Sequence, residues 1–188
     1  MAKVRCDWCK NSEIYVKYHD EEWGEPVYKD SKFFEMLVLE SFQAGLNWLT
    51  ILKKREHFRV ALDGFDYELI AQYSEAKVKE LLQNQDIIRH RGKIEASINN
   101  AKAFIQIQKE FGSFSEYIWN YVDHQPILNT FSSLNEVPSQ TKISKNISSD
   151  LRKRGFKFIG PTTIYAFMQA TGLVNDHLTY CFKHKKSA

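Results

Sequence analysis

Residues 33–48 constrain the fold of this chain more than any other stretch. Phe33, Phe34, Leu37, Val38 and Phe42 recur at three- and four-residue spacings, which predicts a helix with a broad face in a core. Glu40 lies inside that apolar run, where a carboxylate is costly to bury without compensation. It either faces solvent from the polar side of the helix or is kept inside for its chemistry. Ala44-Gly45-Leu46 then breaks the pattern, and Asn47 is suited to cap a second helix that starts at Trp48. A helix end, a tight turn and a new helix bring a carboxylate, an exposed Leu46 and a tryptophan close together.

The remaining sequence predicts an all-α chain, with no clean strand pair, internal repeat or low-complexity segment. A short helical stretch over 11–24 puts Tyr15, Tyr18, His19 and Glu22 on one face, aromatic and polar together. Asp66 and Ser74 are placed to cap two further helices. Arg89-His90-Arg91-Gly92-Lys93 reads as a solvated basic start to a long amphipathic helix over 94–109, stopped near Gly112. Ser113 and Glu116 have the spacing of a capping box. Residues 123–140, with Pro126 and Pro138, form the longest irregular connection. At 188 residues the chain suffices for one domain or two lobes sharing one core, and the expected single unit spans 1–182. The tail over 183–188 is expected to be flexible and basic.

A net charge of +3 permits a nucleic-acid partner without demanding one. No apolar run approaches the roughly 20 residues of a membrane span. The first residues lack a signal-peptide core, so a cytoplasmic location is expected. In that compartment three cysteines point to metal binding rather than disulfides.

The last third carries two more signals. A basic helix over 142–154, a glycine-bounded turn from Gly155 to Gly160, and a helix opened by Pro161 predict a helix-hairpin-helix over about 142–170. Backbone N–H groups at such a helix start, beside Arg152, Lys153, Arg154 and Lys157, form a ready phosphate site; an ordinary αα-hairpin is the plainer alternative. His177 and Cys181 are spaced one helical turn apart, so both can reach one metal ion. Cys6 and His19 can complete a closed tetrahedral zinc site, structural because no position is left for a catalytic water. Spacing alone favours the plainer reading in which these histidines and cysteines are unrelated, and it leaves open a set in which Cys9 replaces Cys6 or His19.

Taken in order, these motifs resemble the bacterial DNA-3-methyladenine glycosylase I family, within the helix-hairpin-helix glycosylase superfamily, over nearly the whole chain. They are Cys6-x-Trp8, Tyr15-x-x-Tyr18-His19-Asp20-x-x-Trp23-Gly24, Leu39-Glu40, Gln43-Ala44-Gly45-Leu46-x-Trp48, the Arg89 to Lys93 cluster, Arg154-Gly155-Phe156-Lys157-Phe158-x-Gly160 and Val174-Asn175-Asp176-His177. The resemblance implies one structural Zn2+ per chain on Cys6, His19, His177 and Cys181, joining the N- and C-terminal segments and deciding against Cys9. It implies Glu40 and Tyr18 as the base-reading catalytic pair, with Trp8, Tyr15, Trp23 and Trp48 completing the base pocket. Gly45 and Leu46 become the DNA wedge, and Arg152, Lys153, Arg154, Lys157 and Gly160 the phosphate contacts. The implied activity is monofunctional hydrolysis of the N-glycosidic bond of 3-methyladenine in alkylated double-stranded DNA, with the free base as product. The enzyme is expected to act as a monomer without a membrane. Asn47 and Phe42 stand where serine and a polar residue are common in the family. Asn175 stands where many superfamily members carry an aspartate, and no equivalent of the lyase lysine is found.

Overall fold

The computed structural model describes residues 3–184. Helix α1 (Glu13–Glu21) leads to α2 (Asp30–Gln43), in which every residue over 33–42 is buried. The apolar face read from the sequence is therefore the whole circumference: α2 is a central helix, wrapped on all sides. Its turn at 44–46 leads into α3 (Trp48–Ala61), and Asn47 caps α3 as expected by accepting from the Thr50 N–H at 2.9 Å.

Next come the short α4 (Tyr67–Ile70) and α5 (Glu75–Gln83), capped by Asp66 and Ser74 respectively. Helix α6 (Arg91–Phe111) begins three residues earlier than expected, because His90 accepts from the Lys93 N–H and serves as its cap. Only half of the capping box forms at α7 (Phe114–Trp119). Ser113 accepts from the Glu116 N–H, while the carboxylate of Asp30, far away in sequence, takes the Phe114 and Ser115 N–H groups. The reciprocal cap occurs instead at α8 (Lys142–Lys153), between Thr141 and Ser144.

Helix α8 packs on α9 (Pro161–Ala170), α9 on α2, and α6 on α2, α4 and α7. One apolar cluster runs from Tyr18 through α2 and α6 to Val174; a smaller one joins Cys6, Leu178 and Cys181. The all-α expectation needs one amendment. Strand β1 (Ile127–Leu128) pairs in parallel with β2 (Val174–Asn175), a ladder too short to show alternation in the sequence. It ties the long connection to the segment carrying Asp176 and His177. Lys183 pairs with Glu25 and His184 bonds the His177 carbonyl, so the expected loose tail is docked at its first two residues; residues 185–188 lie outside those described. No described helix is long and apolar enough to cross a membrane.

Candidate active site

Two glutamates on α2 are buried, and they are treated differently. Glu35 accepts from Arg55, Arg59 and Lys32 at 2.7–3.2 Å, which holds its carboxyl below the ordinary range despite burial. Glu40 is 3% exposed and has no ion pair among the described residues; its Oε2 has no hydrogen-bond partner. Burial alone pushes the Glu40 carboxyl up to about 8. The solvent-facing alternative is thereby set aside.

Glu40 opens onto a cavity of about 270 Å³ that is lined by all six residues expected to form a pocket: Trp8, Tyr15, Tyr18, Trp23, Glu40 and Trp48. Their positions follow from local structure. Tyr15 and Tyr18 share one face of α1, Trp48 is the first residue of α3, and Trp8 sits in a short 3-10 turn (Asp7–Cys9). The rings meet edge to face, with centroids 5.4 Å apart for Trp8 and Tyr15 and 5.1 Å for Trp8 and Trp23. Tyr18 and Trp48 lie 5.5 Å apart. The Trp48 Nε1–H, like Glu40 Oε2, is buried without a partner among the described residues. The Tyr18 hydroxyl is pushed well above its ordinary range, first by burial and then by Glu40.

Six further residues line the same cavity: Gln43, Leu134, Val137, Ala166, Gln169 and Asp176. The Asp176 carboxylate accepts from Tyr165 and Gln169 at 2.7 and 2.8 Å, and from Asn129 at 2.7 Å. Its neighbour Asn175 is buried against Gly24 and accepts from the His177 N–H, so the residue beside the expected position carries the pocket carboxylate. Asp176 lay within a motif already singled out, but its orientation depends on strand β2 and has no periodic signal.

Gly45 adopts φ +83°, with open space where a Cβ would lie, and Leu46 beside it is 40% exposed. At the hairpin, Gly155 (φ +96°) turns the chain, Gly160 precedes Pro161 at the start of α9, and no side chain caps that helix. Arg152, Lys153 and Lys157 are exposed. Arg154 differs from them. Its guanidinium pairs with Glu110 at 2.6 Å and Asp150 at 3.0 Å and lies over the Phe111 and Tyr117 rings, so its charge is already matched within the protein.

A second polar cluster lies behind the cavity. The ligating atoms of Cys6, His19, His177 and Cys181 fall within 4.8 Å of one another, and all four residues are buried. Cys181 Sγ lies 3.4 Å from His19 Nε2 and 3.6 Å from His177 Nδ1, and Cys6 Sγ lies 3.8 Å from His177 Nδ1. Metal bonds of about 2.0–2.3 Å in a tetrahedron require ligand separations of about 3.3–3.8 Å, a range that these three separations match and that the 4.8 Å spread of the whole group exceeds. The other ring nitrogens are also engaged: His19 Nδ1 meets Asp20 at 2.8 Å and His177 Nε2 meets the Trp23 carbonyl at 2.9 Å. Cys9 stands outside the group, its thiol donating to the Cys6 carbonyl. The helical geometry expected for His177 and Cys181 is not what unites them. The segment after β2 runs as coil and turns, and it brings the two side chains together without a helix.

Comparison with known proteins identifies the family. A methyladenine glycosylase family model matches residues 8–184. A DNA-3-methyladenine glycosylase of Haemophilus influenzae is 49% identical over 178 residues, 95% of this chain and 96% of that one. DNA-3-methyladenine glycosylase 1 of Escherichia coli is 47% identical over 177 residues, 94% and 95% of the two chains. The structure solved for 3-methyladenine recognition by 3-methyladenine DNA glycosylase I from Staphylococcus aureus matches with a TM-score of 0.94 and 36% identity, over 100% of both chains. The chain belongs to the methyladenine glycosylase family.

Proposed function

We propose that this chain excises 3-methyladenine from alkylated DNA by hydrolysing its N-glycosidic bond. The observation that carries the reading is a small aromatic cavity holding one buried, unpaired carboxylate, Glu40. At about 270 Å³ it stands at the small end of ligand pockets, suited to a single base rather than to a duplex. The nucleotide must therefore leave the stack to enter. Methylation at N3 makes the adenine cationic; aromatic faces attract such a ring, and Glu40 offers it a counter-charge and an acceptor for the exocyclic amino group.

The chemistry balances without a general acid. The C1′–N9 bond breaks with its electron pair going to the base, which leaves neutral. Water adds at C1′ and gives up its proton to bulk solvent. Neither step calls for a lysine nucleophile, so the reaction is monofunctional. Leu46, exposed on the turn between the cavity-lining residues Gln43 and Trp48, is suited to fill the gap in the stack. Arg152, Lys153, Lys157 and the Gly160 end of α9 are suited to hold the phosphates, whereas Arg154 acts as a strut of the hairpin.

Cys6, His19, His177 and Cys181 fit one Zn2+, which would clasp residues near the two ends of the chain. With four protein ligands it would be structural, and no step of the hydrolysis involves it. The test is chromatography of bases released from methylated DNA, with borohydride trapping alongside. Release of 3-methyladenine without a trapped enzyme–DNA adduct is expected. Absence of 3-methyladenine among the products would refute the activity, and a trapped adduct would refute the monofunctional step.

A further inference from the structure

Lys93 is the one lysine buried among the described residues, with 6% exposure. Its ammonium donates to the carbonyls of Phe42 at 2.9 Å and Ala44 at 2.6 Å. The carbonyl between them, on Gln43, accepts from the Leu46 N–H at 2.7 Å. Three successive carbonyls at the end of α2 are thus satisfied at the turn that presents Leu46, two of them by a residue about fifty positions away in sequence. A cation here also faces the negative end of the α2 dipole.

The same helix holds the hairpin. Asn100 lies seven residues after Lys93, on the same face and about 10.5 Å along the axis. Its side chain accepts from the Lys157 N–H at 2.8 Å and donates to the Lys157 carbonyl at 3.0 Å. Asn99 bonds the Gly155 carbonyl, and the His90 ring meets Phe158 at 5.9 Å. One helix therefore grips both the turn and the hairpin.

We infer that Lys93 is a positioning residue for base extrusion: it holds the Gly45–Leu46 turn rigid and, through α6, at a fixed distance from the hairpin. The inference rests on the glycosylase reading above. Inserting a leucine into a base stack pushes back on the turn that carries it. A turn held only by its own backbone would yield, because Gly45 lacks a side chain and has open space around it. The buried ammonium supplies the resistance while touching neither base nor sugar.

Lys93→Met keeps the aliphatic stem and removes the donors; Lys93→Gln restores one. For the parent chain and both variants, three quantities are measured: affinity for free 3-methyladenine, salt dependence of binding to methylated duplex, and single-turnover base release at saturating enzyme. Free-base affinity is expected to stay within twofold and the salt slope to stay unchanged, because pocket and phosphate groups are intact. Base release is expected to fall at least tenfold in K93M, with K93Q between it and the parent. Unchanged release, a matching loss of free-base affinity, or failure of both variants to fold would overturn the inference. A parent chain that releases no 3-methyladenine would instead overturn the activity itself, so the two failures are distinguishable.

Discussion

Replacing Glu40 by glutamine should change the pH dependence of both stability and substrate binding, and in opposite senses. Burial raises the carboxyl from 4.5 to about 8, a shift worth about 5 kcal/mol at about 1.4 kcal/mol per pH unit. Between those two values the folded state holds a proton that the unfolded state has released. Stability is therefore full below the unfolded value and falls as pH rises through the window, levelling off above about 8. The amide introduced by E40Q resembles the protonated acid in shape and carries no such dependence. Urea unfolding of both proteins at pH 5.5 and at pH 8 gives the comparison. Relative to the parent, E40Q should gain about 3 kcal/mol between the two pH values, while every other titrating group cancels in the difference.

Substrate binding should run the other way. A cationic base calls for the carboxylate, which at pH 7 is about one part in eleven of the empty pocket if the group titrates near 8. Raising the pH from 7 to 8 should therefore strengthen binding of methylated duplex by about fivefold in the parent, with proton release on binding, and leave E40Q flat. E40Q should also excise 3-methyladenine more slowly than the parent, and Glu40→Ala at least as slowly as E40Q. A stability difference independent of pH would refute the burial argument. Undiminished affinity of Glu40→Ala for 3-methyladenine would refute Glu40 as the reader of the base.

Leu46→Gly should weaken productive binding to damaged duplex while leaving free 3-methyladenine affinity nearly unchanged; equal losses would make Leu46 a pocket residue. Metal analysis should find one zinc per chain, and chelation or His177→Ala should lower the melting temperature more than it slows base release at saturation. Removing Arg152, Lys153 or Lys157 singly should reduce the log–log salt slope of DNA binding by about one unit or somewhat less. Arg154→Ala should leave that slope nearly intact and instead lower stability by about 1–3 kcal/mol, because Asp150 loses a charged partner and two aromatic rings lose their cover.

What the sequence made legible was whatever repeats along a helix or sits at a helix end. The caps at Asn47, Asp66 and Ser74, the glycine turns and the aromatic face of α1 are local, since each follows from residues within one or two turns of the chain. The burial of Glu40 was not legible, because an amphipathic helix and a helix buried all round can share the same apolar spacing. What separates them is how many neighbours surround α2, and that is decided by α3, α6, α7 and α9 together. Lys93 shows the same limit more sharply. In sequence it belongs to a basic cluster and reads as solvated; in the fold its charge is turned inward by two carbonyls at the end of α2 and the turn after it. Arg154 makes the complementary case, a hairpin cation already matched by Glu110 and Asp150. Residue type therefore marks which side chains can do chemistry, whereas their long-range partners decide which remain available. Glu35 and Glu40 lie five residues apart on α2: Arg55, Arg59 and Lys32 neutralise the first, whereas the second faces the cavity with no ion pair among the described residues.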